Sequence, residues 1–343
     1  MIIEKVCSNG QSRIVLIDLM QGLAMIIVIV GHHLFPFLAI WYNDMHSYIY
    51  LFHMPFFILI SGFLIRYSYK GVDNIKGYWH YIFRKGKKFV PPYVIIGLLA
   101  IILKGPESFE RSLTLAVNLL INPIASEATF LWYIYLLFLL YILSPIVFLL
   151  TFHGKIVLFA VSLLLWLYPA NTNLLCLAYL CKLSPFYVTG VLLAEKWTII
   201  MSKYCEWEKL SFAFMNVGLV SFVILSFFHF CIGKNYFIDY LIPWISLPAL
   251  TYIAWLFGHF MKKALVFVSC NCFGIYLLHM FFVNAVALVL GRFSFWGTSV
   301  GTILYLIVST SVSILFAALC WQYIGNINKL KEQVMELRGR IRI

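Results

Sequence analysis

IDLMQGLAMIIVIVGHH, residues 17–33, decides how this chain is read. It lies in an apolar stretch running from about Ile14 to Ile40, and no charged side chain follows Asp18 within the motif. About 20 apolar residues cross a bilayer, so the stretch predicts a membrane helix over 14–38. It is too long for a signal-peptide core and no small-residue cleavage motif closes it, so it is read as a retained first helix. Three polar groups interrupt it. Eleven residues separate Gln21 from His32, about three helical turns, which places both on one face. Asp18 lies about 40° from that stripe. A polar column in an apolar span marks a functional site by default. The alternative, a polar contact gluing two helices, stays open. His33 points about 100° away and reads as a neighbouring packing group.

The rest of the chain has the same character. Of its 343 residues 63% are hydrophobic and 11% charged, against about 45–50% and about 25% in soluble domains. The fold class expected is all-α, a polytopic transmembrane helix bundle. Ten spans are predicted: 14–38, 47–66, 89–104, 129–150, 155–169, 174–195, 210–233, 236–258, 264–290 and 299–324. The half-apolar stretch 109–123 reads as a re-entrant or interfacial segment. Short, even connections make residues 1–326 one membrane domain.

The net charge of +12 invites a nucleic-acid reading, which fails on placement. Twenty of the 25 Lys and Arg fall in loops on one side of the predicted spans. That is a topology signal, and it places both termini in the cytoplasm. Residues 327–343 follow as a basic tail with Ile327, Leu330, Val334, Leu337 and Ile341 in 3-4-3-4 spacing. This fits an amphipathic helix on the inner leaflet or a short coil forming a homodimer. Cys270 and Cys272 form a C-x-C without a matching pair, so no metal site is expected. Cys176 and Cys181 read as small buried hydrophobes.

With this topology His32, His53 and His279 reach a similar depth in the outer half of the membrane. Trp132 and Tyr133 open the fourth span at that level, and Tyr276 pairs with His279 at i, i+3. Each has a plainer reading. The aromatics fit an interfacial belt. His53 could satisfy backbone freed by Pro55. Ser61 and Gly62 could mark close helix packing. On the inner side Arg66, Arg84, Lys85, Lys87 and Lys88 precede Pro91 and Pro92. They suit anionic membrane lipid, or a phosphate-rich cytosolic ligand whose oxygens a guanidinium binds in pairs.

In order along the chain, IDLMQGLAMIIVIVGHH, FHMPFFILISGFL, FRKGKKFVPPY, FLWYIYLLFLLYILSP and CFGIYLLH resemble the signatures of the acyltransferase-3 family of integral membrane acyltransferases. The family pattern carries an arginine eleven residues before the first-span histidine; Gln21 stands there in this chain. The resemblance implies an acyl donor from the cytosol, usually acetyl-CoA, held by Arg66, Arg84, Lys87 and Lys88. It implies a carbohydrate acceptor at the outer face, a surface polysaccharide or lipid-linked sugar of a bacterial inner membrane. His32, Gln21 and Asp18 then form the catalytic set. His53, Ser61, Trp132, Tyr133, Tyr276 and His279 form the acceptor side. An imidazole titrates close enough to neutrality to deprotonate the attacking hydroxyl. The rival class is a transporter or flippase of lipid-linked saccharide. Against it, no internal repeat and no paired broken spans are visible.

Overall fold

The computed structural model describes residues 14–72, 74–105, 108–200, 208–233 and 235–341, without the side chains of 208–211 and 327–341. Among the described residues the regular structure is helical, with no strand. The helices are α1 (Val15–Val30), α2 (Trp41–Tyr67), α3 (Ile75–Lys104), α4 (Phe109–Ile121), α5 (Trp132–Leu149) and α6 (Phe152–Leu167). They continue as α7 (Leu177–Glu195), α8 (Glu208–Ile232), α9 (Tyr236–Cys270), α10 (Cys272–Leu290) and α11 (Ser299–Ile341). Eight of them are long and apolar enough to cross a membrane, and α1 and α6 are shorter apolar helices of 16 residues each. Each of the ten expected spans is matched by one of these helices. The chain is an all-α, multi-pass integral membrane protein.

Boundaries moved where polar groups offered the backbone another partner. The first helix stops at Val30, not at residue 38. His32 N–H bonds the Ile29 carbonyl at 3.0 Å, a tightened last turn, and Val30 O accepts from the Tyr42 hydroxyl. The segment beyond is irregular, which an apolar phase tolerates only where protein satisfies the peptide groups. Here α11 does so, since the Thr302 hydroxyl accepts from Ala39 N–H at 2.8 Å. Phe35 and Phe37 stack at 5.3 Å, and Phe37 packs on Tyr305 of the same helix.

The basic run expected in a loop is helical instead. Helix α3 starts at Ile75, where the Asn74 side chain accepts from Gly77 N–H at 2.8 Å. It continues through Pro91 and Pro92 to Lys104. The two prolines remove the donors that would reach the carbonyls of Lys87 and Lys88. The loop expected around Lys262 and Lys263 is absent as well. Helix α9 runs through it with one non-helical residue, Met261, and ends at Cys270. Asn271 then makes the turn into α10. His279 therefore lies two turns into α10 rather than about 15 residues into a longer helix. Residues 109–121 form a 13-residue helix, about 20 Å long and shorter than a span. The amphipathic stripe of the tail lies outside the described side chains, although the α11 backbone is helical to Ile341.

Two compact units emerge. One comprises Met1–His53, Phe222–Ile242 and Pro248–Ile343; the other comprises Met54–Ser221 and Pro243–Leu247. In the first, α1 approaches α9 so closely that a Cβ on Gly22 would strike the Leu265 carbonyl. In the second, Gly62 of α2 faces the backbone of Tyr187 in α7, and Gly190 faces that of Leu59. Small residues at such crossings allow the backbone contact that drives helix association in lipid.

Candidate functional site

The two histidines that end the first motif have opposite fates. His33 is fully buried. Its Nδ1 lies 2.8 Å from Ile29 O and its Nε2 lies 2.8 Å from Ser309 Oγ on α11. A carbonyl only accepts, so Nδ1 carries the proton and the neutral ring accepts from the Ser309 hydroxyl at Nε2. His33 is thus a buried anchor, more specific than a packing neighbour. It fixes the chain where α1 ends, and so fixes His32 beside it.

His32 is half-buried. Its ring packs 5.1 Å from that of His279. Its Nδ1 lies 3.3 Å from the Tyr50 hydroxyl. Tyr50 in turn packs on His53 at 4.6 Å and on His46 at 4.4 Å. His279 donates Nδ1–H to Tyr276 O at 2.7 Å, and the two rings are 5.6 Å apart. The first unit therefore brings together His32, His53, Tyr276 and His279, all expected from sequence. Tyr50 and His46 were missed. Their signal was present: His46, Tyr50 and His53 follow 4-3 spacing, one face of α2. His53 donates to Ile49 O at 2.8 Å. The carbonyl freed by Pro55 is that of Leu51, so relief of the proline is not what its Nδ1 does.

Asp18 and Gln21 share a different partner. Ser269 near the end of α9 lies 3.1 Å from Asp18 Oδ1 and 3.0 Å from Gln21 Oε1. One hydroxyl proton cannot serve two acceptors. Turning the Gln21 amide over lets its NH2 donate to Ser269, which then donates to Asp18. At i, i+3 the family's arginine would meet Asp18 directly. Gln21 meets it through Ser269.

The remaining expected residues lie in the second unit. Ser61 donates to Phe57 O at 2.9 Å and lies 2.6 Å from the Tyr133 hydroxyl. Trp132 packs on Tyr179 at 4.4 Å. The Tyr133 ring meets Phe57 edge-on at 5.1 Å. Ser61, Trp132 and Tyr133 thus form their own cluster. Arg66 is not a bare cation, because its Nε donates to Glu195 Oε1 at 2.8 Å. The same oxygen takes Lys155 Nζ at 2.8 Å, and Lys155, expected in a loop, is buried at the start of α6. Arg84, Lys87 and Lys88 are exposed on α3. Lys85 between them lies 4.2 Å over the Tyr141 ring. Among the described residues no group of three or more His, Cys, Asp or Glu side chains is arranged to hold a metal ion.

An imidazole at a helix end, half-buried and flanked by a second imidazole and a phenol, is equipped to move a proton to or from a hydroxyl. No curated protein and no solved structure matches the chain. A family model described as an acyltransferase domain matches residues 14–321, nearly the whole length. The chain belongs to the acyltransferase-3 family of membrane acyltransferases.

Proposed function

We propose that this protein is an O-acetyltransferase of a bacterial inner membrane, with both termini in the cytoplasm. It moves an acetyl group from cytosolic acetyl-CoA to a hydroxyl of a surface polysaccharide or lipid-linked sugar. The observation that carries this reading is the contrast at the end of α1. A base must be reachable and must keep a nitrogen lone pair. His33 is buried with both nitrogens engaged, whereas His32 is half-buried with its ring against His279.

As base, His32 takes the acceptor's proton while the oxygen attacks the thioester carbonyl. The C–S bond breaks, and the imidazolium returns the proton to the departing thiolate. As carrier, an imidazole nitrogen attacks the thioester carbonyl and the C–S bond breaks to release the thiolate; the hydroxyl then attacks the acyl-imidazole, the C–N bond breaks, and the hydroxyl proton ends on the thiolate. His53, Tyr276 and His279 line the acceptor side. The acyl arm runs beside Gln21 and Asp18. Arg66, Arg84, Lys87 and Lys88 hold the donor phosphates. Glu195 takes the Nε edge of Arg66, and in this reading the terminal amino groups meet phosphate oxygens.

The test uses purified protein in proteoliposomes, labelled acetyl-CoA and candidate glycans. Wild type transfers label to the glycan and His32→Ala does not. Unchanged turnover in that variant removes the central role of His32. Glycan movement without acetylation supports the flippase reading instead.

A further inference from the structure

The imidazoles near His32 have their protons placed by the backbone. His33, His53 and His279 each donate Nδ1–H to a carbonyl, those of Ile29, Ile49 and Tyr276, at 2.8, 2.8 and 2.7 Å. Carbonyls accept only, so these three rings hold one neutral tautomer. His32 differs. Its Nδ1 faces a hydroxyl, Tyr50 Oη at 3.3 Å, and a hydroxyl both donates and accepts. The phenol ring is not loose. It lies between His46, one turn before it on α2, and His53, one turn after, at 4.4 and 4.6 Å. Packing on both sides aims the hydroxyl at His32.

We infer that Tyr50 is a positioning residue that sets the working tautomer of His32. The inference rests on the reading of His32 as the base. When Tyr50 Oη accepts from Nδ1–H, Nε2 keeps its lone pair and can take the acceptor's proton. The imidazolium so formed still donates Nδ1–H to the phenol oxygen, which stabilises it as it appears. Tyr50 keeps its own proton throughout. The arrangement has the logic of a histidine oriented by a second group, with a neutral phenol in the place that a carboxylate takes elsewhere. A carboxylate there would add a charge to an apolar span, which is costly. A phenol supplies the acceptor without it.

Tyr50→Phe removes the oxygen and keeps the ring. Its kcat is expected to fall about ten- to a hundredfold, the size of loss seen when a partner orienting a metal-bound histidine is removed. The KM values for acetyl-CoA and for the glycan should stay within roughly twofold, because ground-state binding is untouched. The melting temperature in detergent should equal that of wild type. Combining Tyr50→Phe with His32→Ala should cost nothing beyond His32→Ala alone. A wild-type kcat in Tyr50→Phe, with His32→Ala inactive, overturns this inference and leaves the base reading standing. An active His32→Ala enzyme removes the base reading itself. Raised KM for both substrates, a lowered melting temperature, or further loss in the double variant assigns Tyr50 to packing and overturns its role here.

Discussion

Four imidazoles in the first unit are held by carbonyls, a hydroxyl and a phenol, while two cations in the second are held by one carboxylate oxygen. Both arrangements place polar groups inside an apolar chain, and they do so by opposite means. A neutral imidazole can be buried because it carries no charge and its one N–H can donate to a carbonyl, as those of His33, His53 and His279 do. Lys155 and Arg66 are basic side chains, and Glu195 Oε1 lies 2.8 Å from each. The neutral cluster can exchange a proton without creating an unpaired ion at rest. The ionic cluster cannot, but it retains one net positive charge. In the proposed function the first cluster serves proton transfer and the second helps to hold the anionic donor.

The largest expected effect breaks the first cluster at its working residue. His32→Ala should lower kcat about a hundred- to ten-thousandfold, as measured by glycan acetylation, with little change in melting temperature. Glu195→Ala strikes the second cluster. It strands a buried lysine and a half-buried arginine, and the cost should be about 3 kcal/mol or more, seen as a large drop in melting temperature. If that variant melts as wild type, the carboxylate does not hold the two cations together. His33→Ala separates anchoring from chemistry. It leaves the Ser309 hydroxyl without its ring partner, at about 1–3 kcal/mol. The loss should appear in thermal stability first and in turnover of the folded fraction second. Turnover that falls as far as in His32→Ala would erase the distinction between the two neighbours. The smallest effect is on α3. Arg84→Glu reverses one exposed charge, worth up to about 1 kcal/mol, so the KM for acetyl-CoA should rise severalfold while the glycan KM stays constant. An unaltered donor KM would move that charge to the lipid headgroups.

Much of this site was legible in the sequence because the signals are local. The 4-3 spacing of His46, Tyr50 and His53 lies within eight residues, and the pairing of Tyr276 with His279 within four. Helical geometry alone puts each set on one face. The depth argument for His32, His53 and His279 also needed only span ends and rise per residue. It failed in detail where hydrogen bonding from afar changed a helix end. Gly31 and the histidines leave the helix because α11 supplies hydroxyls to His33 and Ala39, and neither partner lies within 260 residues in sequence. The reading of RKGKK as a loop failed for the opposite reason. The expected span starts at residue 89, just before Pro91 and Pro92, but α3 begins at Ile75, continues through both prolines and loses only two donors.

The sequence by itself determined the class of the molecule, its ten apolar helices, the family and the histidine-bearing motifs. Hydropathy and helical period are properties of short windows, and they survive without knowledge of the fold. The tertiary structure alone decided which of two adjacent histidines is fully buried with both nitrogens bonded and which is half-buried beside a phenol. It also decided that Ser269 joins Asp18 to Gln21 across a separation of about 250 residues, and that Glu195 claims Arg66. A hydrogen bond depends on where a partner's atom sits in space, and a chain of apolar spans gives no local trace of that position.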